Sequence, residues 1–192
     1  RNPLSVANGF LELAREDGGP EQFDRIEAAL DRMERIIDDL LYLARENQQI
    51  GEPEPVDLQY IARSAWETVL DTDSAGELLL HDDLGEISAD GDRLSQLFEN
   101  IFRNAIEHGG SDTRIWVEPI EEGFAIADNG PGISMSDRDR VFERGFTSQD
   151  DGTGFGLYIV SEIVDGHGWD ITISESTAGG ARFEISDADI QR

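Results

Sequence analysis

Seven apolar residues recur at alternating steps of three and four: Phe23, Ile26, Leu30, Met33, Ile37, Leu40 and Ala44. That spacing makes residues 21–48 a helix with a heptad seam sustained over three repeats. Asp, Glu and Arg fill the faces between. Residues 4–16 carry a shorter helical pattern with Leu4, Ala7, Leu11 and Ala14 on one face. Asp17-Gly18-Gly19-Pro20 breaks the two apart, so they are expected to fold back as an antiparallel hairpin. One hairpin cannot bury both seams. A four-helix bundle made by a homodimer through residues 1–50 is the simplest solution; a hairpin packed on its own domain is the alternative.

Gly51-Glu52-Pro53-Glu54-Pro55 stops the helix, and residues 51–56 read as a linker. Residues 57–188 then mix helices and strands. Asp57 is expected to cap a helix to about Leu70, and Asp90 a long one to His108. Glu77–His81 and Glu86–Ala89 read as short strands. Thr113–Pro119 and Phe124–Asp128 read as a hairpin turning at Glu121-Glu122-Gly123. Gly130–Gly154 is irregular, with a short helix near Asp137–Phe142. A helix from about Phe155 to Asp165 precedes a closing hairpin of Trp169–Glu175 and Ala181–Ser186 around Gly179-Gly180. The fold class expected is α+β: a helical hairpin followed by a sheet layer with helices on one face.

Charge narrows the partners. The 192 residues hold 42 acids and 15 basic residues, all Arg, for a net charge of −27. A phosphate backbone would be repelled, so no nucleic-acid partner is expected. So acidic a surface without Lys fits a salt-rich cytoplasm, where cations screen the acids, and points to a halophilic source. The chain has no Cys, which removes disulfides, thiolate metal sites and Cys nucleophiles. No apolar run approaches the roughly 18 residues that a membrane helix needs. No membrane contact is expected of this chain, and no signal peptide is visible. Because it starts at Arg1, it is expected to be part of a longer protein that a membrane segment could anchor.

Three features coincide between residues 96 and 157. Asn100, Asn104 and His108 lie four apart and form one polar stripe on the long helix. Amide oxygens are hard neutral ligands suited to Mg²⁺ that also holds phosphate and water. Asp128-Asn129-Gly130-Pro131-Gly132-Ile133 follows a strand. Its glycines let backbone approach a ligand closely, and a carboxylate there can accept from the exocyclic amine of adenine while repelling the carbonyl of guanine. Gly152-Thr153-Gly154-Phe155-Gly156-Leu157 opens a helix and frees backbone N–H groups for an anion. It is neither a P-loop, which needs Lys, nor the dinucleotide fingerprint. Taken singly, each also reads as surface polarity, a turn or a glycine-rich loop. His81, His167, Trp66, Trp116 and Trp169 read as ordinary surface, turn or core residues.

Together these segments resemble the boxes of the sensor histidine kinases, within the GHKL ATPase group shared with type II topoisomerases, mismatch-repair proteins and chaperones. Asn100–His108 is similar to the N box, Asp128–Ile133 to the first glycine box, Val141–Phe146 to the F box and Gly152–Leu157 to the second glycine box. Gly179-Gly180-Ala181-Arg182-Phe183 resembles the glycine signature of the last strand pair. Arg1-Asn2-Pro3-Leu4 resembles the second half of the H box, so the likeness covers essentially the whole chain. It implies an α/β sandwich that binds ATP and Mg²⁺, transfers the γ-phosphoryl to a His, and passes it to an Asp of a response-regulator receiver domain.

The residues implied for the nucleotide are Asn100, Asn104, His108, Asp128, Gly130, Gly132, Ile133, Phe142, Arg144, Thr147, Gly152, Thr153, Gly154, Phe155, Gly156 and Leu157. Asn100 and Asn104 would hold the metal. Asn2 would serve in dephosphorylating the regulator, and Leu4, Ala7 and Leu11 in docking it. Two departures stand out. The acceptor His is expected three residues before Arg1, so the 192 residues are not expected to phosphorylate themselves. Glu107 stands where relatives often carry a base; Arg103 or Arg144 could substitute. The rivals are a mismatch-repair or topoisomerase N-domain, which the heptad hairpin disfavours, and a degenerate ATP-binding or merely dimerising scaffold.

Overall fold

A computed structural model describes residues 3–17, 19, 22–27, 29–30, 33, 36–37, 51–70, 76–147 and 153–191. It divides into two units, Arg1–Gln48 and Gln49–Arg192. In the first, α1 spans Pro3–Asp17, and residues 22–27, 29–30, 33 and 36–37 are helical. The turn between is tied by Gln22, whose Oε1 accepts from Gly19 N–H at 3.0 Å. Arg25 lies over the Phe10 ring at 5.1 Å, which joins the two helical stretches. Ala7 and Ala29 are buried, but Leu4, Leu13, Phe23, Leu30 and Ile37 each stay at least half exposed within the unit. Ile26 and Met33 are half-buried; Leu40 and Ala44 of the expected seam lie outside the described residues.

The second unit holds β1 (Glu54–Asp57), α2 (Leu58–Val69), β2 (Gly76–Leu80), β3 (Glu86–Ala89), α3 (Gly91–Gly109), β4 (Thr113–Ile120), β5 (Gly123–Asp128), α4 (Gly156–His167), β6 (Asp170–Glu175), β7 (Ala181–Ser186) and β8 (Ile190–Gln191). The strands form two sheets, ordered β2-β4-β5-β7-β6 and β1-β3-β8. β2 runs parallel to β4; the other pairs are antiparallel. The architecture is α+β, as expected.

Local chemistry explains the helices. Asp57 caps α2 by accepting from Tyr60 N–H at 3.0 Å. Asp90 caps α3 through Oδ1, which takes N–H bonds from Asp92 and Arg93 at 3.1 and 3.2 Å. α4 ends at Gly168, whose φ of +75° is the left-handed closure that Gly makes without strain. α2 buries Leu58, Ala62, Ala65 and Trp66, and α3 buries Leu94, Leu97, Phe98, Ile101, Phe102 and Ala105. From β4, β5 and β7 come Ile115, Val117, Phe124, Ile126, Phe183 and Ile185, all fully buried. Stacked, tilted or edge-on rings continue from Trp66 through Phe102, Phe98 and Phe124 to Trp169, with centroids 5.5–6.5 Å apart. On the opposite side of the sheet, Arg182 pairs with Glu118 and Glu184.

Two expectations change. Residues 54–56 of the segment read as a linker, together with Asp57, form β1, paired with β3. Its Pro55 is tolerated because β1 is an edge strand. Gly51 N–H also bonds Asp90 Oδ2 at 2.9 Å. Asp137–Phe142 is not a helix but successive turns: the bonds Val141→Asp137, Glu143→Arg140 and Phe146→Glu143 change register instead of running on. β2 and β3, adjacent in sequence, belong to different sheets. His81 is exposed, as read, and its Nδ1 accepts from Asp83 N–H at 3.2 Å.

Candidate functional site

Asp128 ends β5, on the same face of the strand as Phe124 and Ile126, and is 8% exposed. Its Oδ1 accepts from Gly130 N–H at 2.7 Å and from Ala181 N–H at 3.2 Å. Oδ2 accepts from none of the described residues. Burial pushes this carboxyl above its ordinary range; the two N–H bonds and the nearby His108 oppose the rise without cancelling it. The missing side chain of Gly180 makes room, since a Cβ there would overlap both Oδ1 and the carbonyl of Asp128.

The loop after Asp128 is clipped on both sides. Asn129 Oδ1 accepts from Arg114 N–H at 2.7 Å, and its Nδ2 donates to Asp112 O at 3.1 Å. Gly130 lies against Gly109 at the end of α3, where a Cβ would stand 3.5 Å from the Gly109 Cα. Gly132, at φ +73°, faces the carbonyls of Gly179 and Gly180. The first glycine box thus joins the end of α3, which carries His108, to the turn between β6 and β7. Ile133 contributes its carbonyl, which accepts from Arg138 Nε at 3.4 Å.

Asn100 is buried on α3. Its Nδ2 donates to Gln96 O at 2.9 Å, so Oδ1 is the atom that remains. That Oδ1 faces the start of α4, where a Cβ on Gly156 would come within 3.3 Å. Asn104, one turn on, is half-buried, and its side chain makes no hydrogen bond to a described residue. α4 begins after Phe155 with no side-chain cap bond, and a helix start of this kind leaves amides that attract an acceptor. Thr153 Oγ1 accepts from Phe155 N–H at 3.4 Å, and Leu157 is half-buried in the first turn.

The F box reaches the same place. Gly145 N–H donates to Gly154 O at 2.9 Å, and Gly154, at φ +72°, leaves no room for a side chain against the Gly145 backbone. The Arg144 guanidinium lies over the Phe155 ring at 5.8 Å. Phe142 is half-buried and Thr147 exposed. Asn2 and Gly152 lie outside the described residues.

Among the described residues no cluster of three His, Asp or Glu converges on a metal. The donors present are the neutral amide oxygens of Asn100, beside a helix start that attracts anions, and of Asn104, one turn further along α3. Such a set suits a cation that arrives bound to phosphate, and Mg²⁺ fits it. Sequence reasoning took Gly180 for a turn residue and did not connect it with Asp128. The usable signal was the doublet: only Gly179, at φ +100°, needs glycine for its backbone, so the second glycine marks a close approach. Gly180→Ala is therefore expected to lower stability by about 1–3 kcal/mol through overpacking and to displace the Asp128 carboxylate. Urea unfolding beside Gly168→Ala, whose Cβ meets nothing within 4 Å, separates crowding from backbone strain.

These features coincide with known families. The model of the histidine kinase-, DNA gyrase B- and HSP90-like ATPases matches residues 89–189, and that of the His kinase A phospho-acceptor domain matches residues 1–49. The chain belongs to the histidine kinase family, with a HisKA region followed by an ATPase domain of the GHKL type. It is 33% identical over 198 residues to the sensor histidine kinase ZraS of Escherichia coli O157:H7, covering 96% of this chain and 43% of that protein. The chain thus spans less than half the length of this relative. The mycobacterial sensor histidine kinase MprB superposes with a TM-score of 0.60 at 26% identity, over 72% of this chain and 99% of that one. Full-length ShkA in complex with AMPPNP gives 0.67 at 23% identity, over 100% and 47%, and shares the fold. No helix among the described residues is long and apolar enough to cross a membrane.

Proposed function

We propose that residues 57–188 bind ATP with Mg²⁺ and present its γ-phosphoryl to a histidine, from which it passes to an aspartate of a response-regulator receiver domain. The carrying observation is the pairing of a buried carboxylate, Asp128, whose Oδ2 accepts from no described residue, with a helix start, at Gly156, that lies against the Asn100 amide oxygen. Asp128 accepts from the adenine amine. The first amides of α4 and the backbone of residues 152–156 hold phosphate oxygens, and Asn100 and Asn104 hold the cation. His108 and Arg144 complete the phosphate end. Bound Mg²⁺ would neutralise charge on the phosphates. The rest is positioning: the bond from the γ-phosphorus to ADP breaks as a bond to the acceptor nitrogen forms.

None of the chain's three histidines lies within residues 1–49, so in this reading the acceptor is not one of the 192 residues. Residues 1–50 supply the dimerisation helices and, with Leu4, Ala7 and Leu11, the regulator surface; Asn2 assists dephosphorylation. The half-exposed apolar residues of the first unit support a second copy as its partner. The reading places the chain in the cytoplasm of a salt-rich cell.

The test is calorimetric titration with a non-hydrolysable ATP analogue, with and without Mg²⁺, in near-saturating KCl. We expect Mg²⁺-dependent binding that prefers ATP to GTP analogues. It should be lost in Asp128→Ala, while Asn104→Ala should lose about tenfold of the Mg²⁺-dependent gain, the scale of one charge-assisted bond. A folded wild type that binds neither nucleotide would overturn the kinase reading and leave a dimeric scaffold.

A further inference from the structure

The two helices of the site are pinned at their far end by a histidine that the proposed chemistry does not use. α4 runs back along α3. Its first residue, Gly156, faces Asn100, and His167, in its last turn, meets Asp90, the N-cap of α3. A backbone N–H can only donate, so His167 Nε2, 3.0 Å from Asp90 N, accepts from it. That fixes the tautomer: the ring proton is on Nδ1, which donates to Ile163 O at 2.8 Å. The ring also stacks on Trp169, with centroids 4.3 Å apart.

This bond replaces a familiar one. The N–H of an N-cap residue is commonly met by a Glu or Gln three residues on. Here that residue is Arg93, which has no acceptor, and a histidine from another helix takes its place. The lengths agree as well. At 1.5 Å per residue, Asp90 to Asn100 spans about 15 Å and Gly156 to His167 about 16 Å. The two contacts therefore frame the pair at both ends of α4. Between them the buried residues are apolar: Ile159, Val160, Ile163 and Val164 on α4, Leu94, Leu97 and Phe98 on α3. Apolar packing restrains the axial slide only through the fit of side-chain shapes; a hydrogen bond, steep in distance and angle, adds a sharper restraint at the far end.

We propose that His167 is a positioning residue for the nucleotide site, fixing the slide of α4 along α3 and hence the distance from Asn100 to the amides at the start of α4. This rests on the nucleotide reading above. Asp128, held by β5 and the turn at Gly180, stands outside that helix pair. Losing the His167 bond therefore weakens the Mg²⁺-dependent part of binding and spares the adenine part.

The experiment compares wild type, His167→Phe and His167→Gln. Phe keeps a ring for Trp169 and removes the acceptor; Gln returns an amide oxygen near the place of Nε2. Each is titrated with the non-hydrolysable ATP analogue in Mg²⁺ and in EDTA. We expect His167→Phe to stay within about twofold of wild type in EDTA and to lose about tenfold or more of the gain from Mg²⁺, as a misplacement near 1 Å can cost up to about a hundredfold. His167→Gln should recover most of it. Equal losses in both buffers, no loss in either, or a Gln variant no better than Phe would overturn the proposal. If the Phe variant fails to fold by near-UV dichroism, His167→Asn, too short to reach Asp90, takes its part. A wild type that binds in neither buffer removes the nucleotide reading and this proposal with it. Binding that every variant retains unchanged removes only the role of His167.

Discussion

Asp128→Asn is expected to gain stability at neutral pH while losing its preference for adenine. Burial holds the carboxyl above its ordinary range, so the ionised form is carried at a net cost in the folded state. The sign follows by linkage. The contribution of Asp128 to stability is full below the ordinary carboxylate pKa and is lost as pH rises through the raised value. Asparagine mimics the neutral form, so its unfolding midpoint should exceed that of wild type at neutral pH and converge with it in acid. The two N–H groups that bond Oδ1 also fix how the amide sits: its oxygen takes the place of Oδ1 and accepts from them, and its NH₂ takes that of Oδ2. A donor then faces the adenine amine, while the guanine carbonyl gains a partner. Affinity for the ATP analogue should fall about 10–10²-fold, the worth of a hydrogen bond to a charged group, and the ratio of ATP to GTP affinity should fall with it. In the wild type, ATP affinity should weaken as pH drops through the raised pKa, and in Asp128→Asn it should not. A variant that keeps full selectivity for ATP would remove Asp128 from the adenine site.

Phe124→Ala should be the most damaging substitution in the core. The ring is fully buried, stacked on Phe98 at 5.5 Å and edge-on to Trp169 at 6.5 Å. Emptying such a site costs about 3–5 kcal/mol, against a whole-domain stability of roughly 5–15 kcal/mol. Because Phe124, Ile126 and Asp128 alternate down one face of β5, the void opens two residue pairs from the carboxylate. The check is the urea midpoint in concentrated KCl beside Tyr60→Ala, whose side chain is 70% exposed and should change stability by no more than about 0.5 kcal/mol. Equal shifts in the two would mean that the aromatic chain does not carry the core.

Periodicity made α2, α3 and α4 legible, because each has an apolar stripe and a readable start or stop: Asp57, Asp90, Gly168. The hairpin of β4 and β5 was legible from alternation and its Glu-Glu-Gly turn. β1 was not, since Pro53 and Pro55 read as breakers, and only the position of β1 at a sheet edge makes Pro55 acceptable. β8, two residues long, carries no period at all. Asp137–Phe142 read as a short helix, but the bonds there change register and the segment runs on to Gly145, held at φ +82° and bonded to Gly154. In the site, buried polar residues announced themselves: Asn100 and Asp128 stand among apolar neighbours, where an unneeded polar group would be costly. Asn129 as a clip, Gly180 as the space for a carboxylate, and His167 as a partner of Asp90 depend on contacts made across 15 to 77 positions of chain. Local pattern holds no record of such meetings.

β8 bears on how the second unit is made in the cell. Residues 190–191 pair with 86–87 and give β3 its second neighbour. A ribosome must therefore add about a hundred further residues after β3 before the three-stranded sheet can close. At roughly 5–20 residues per second, β3 spends several seconds of synthesis with one side of its backbone unmatched. Glu86 and Ser88, both exposed, place polar side chains on that waiting strand, and the high negative charge keeps neighbouring nascent chains apart until its last partner emerges.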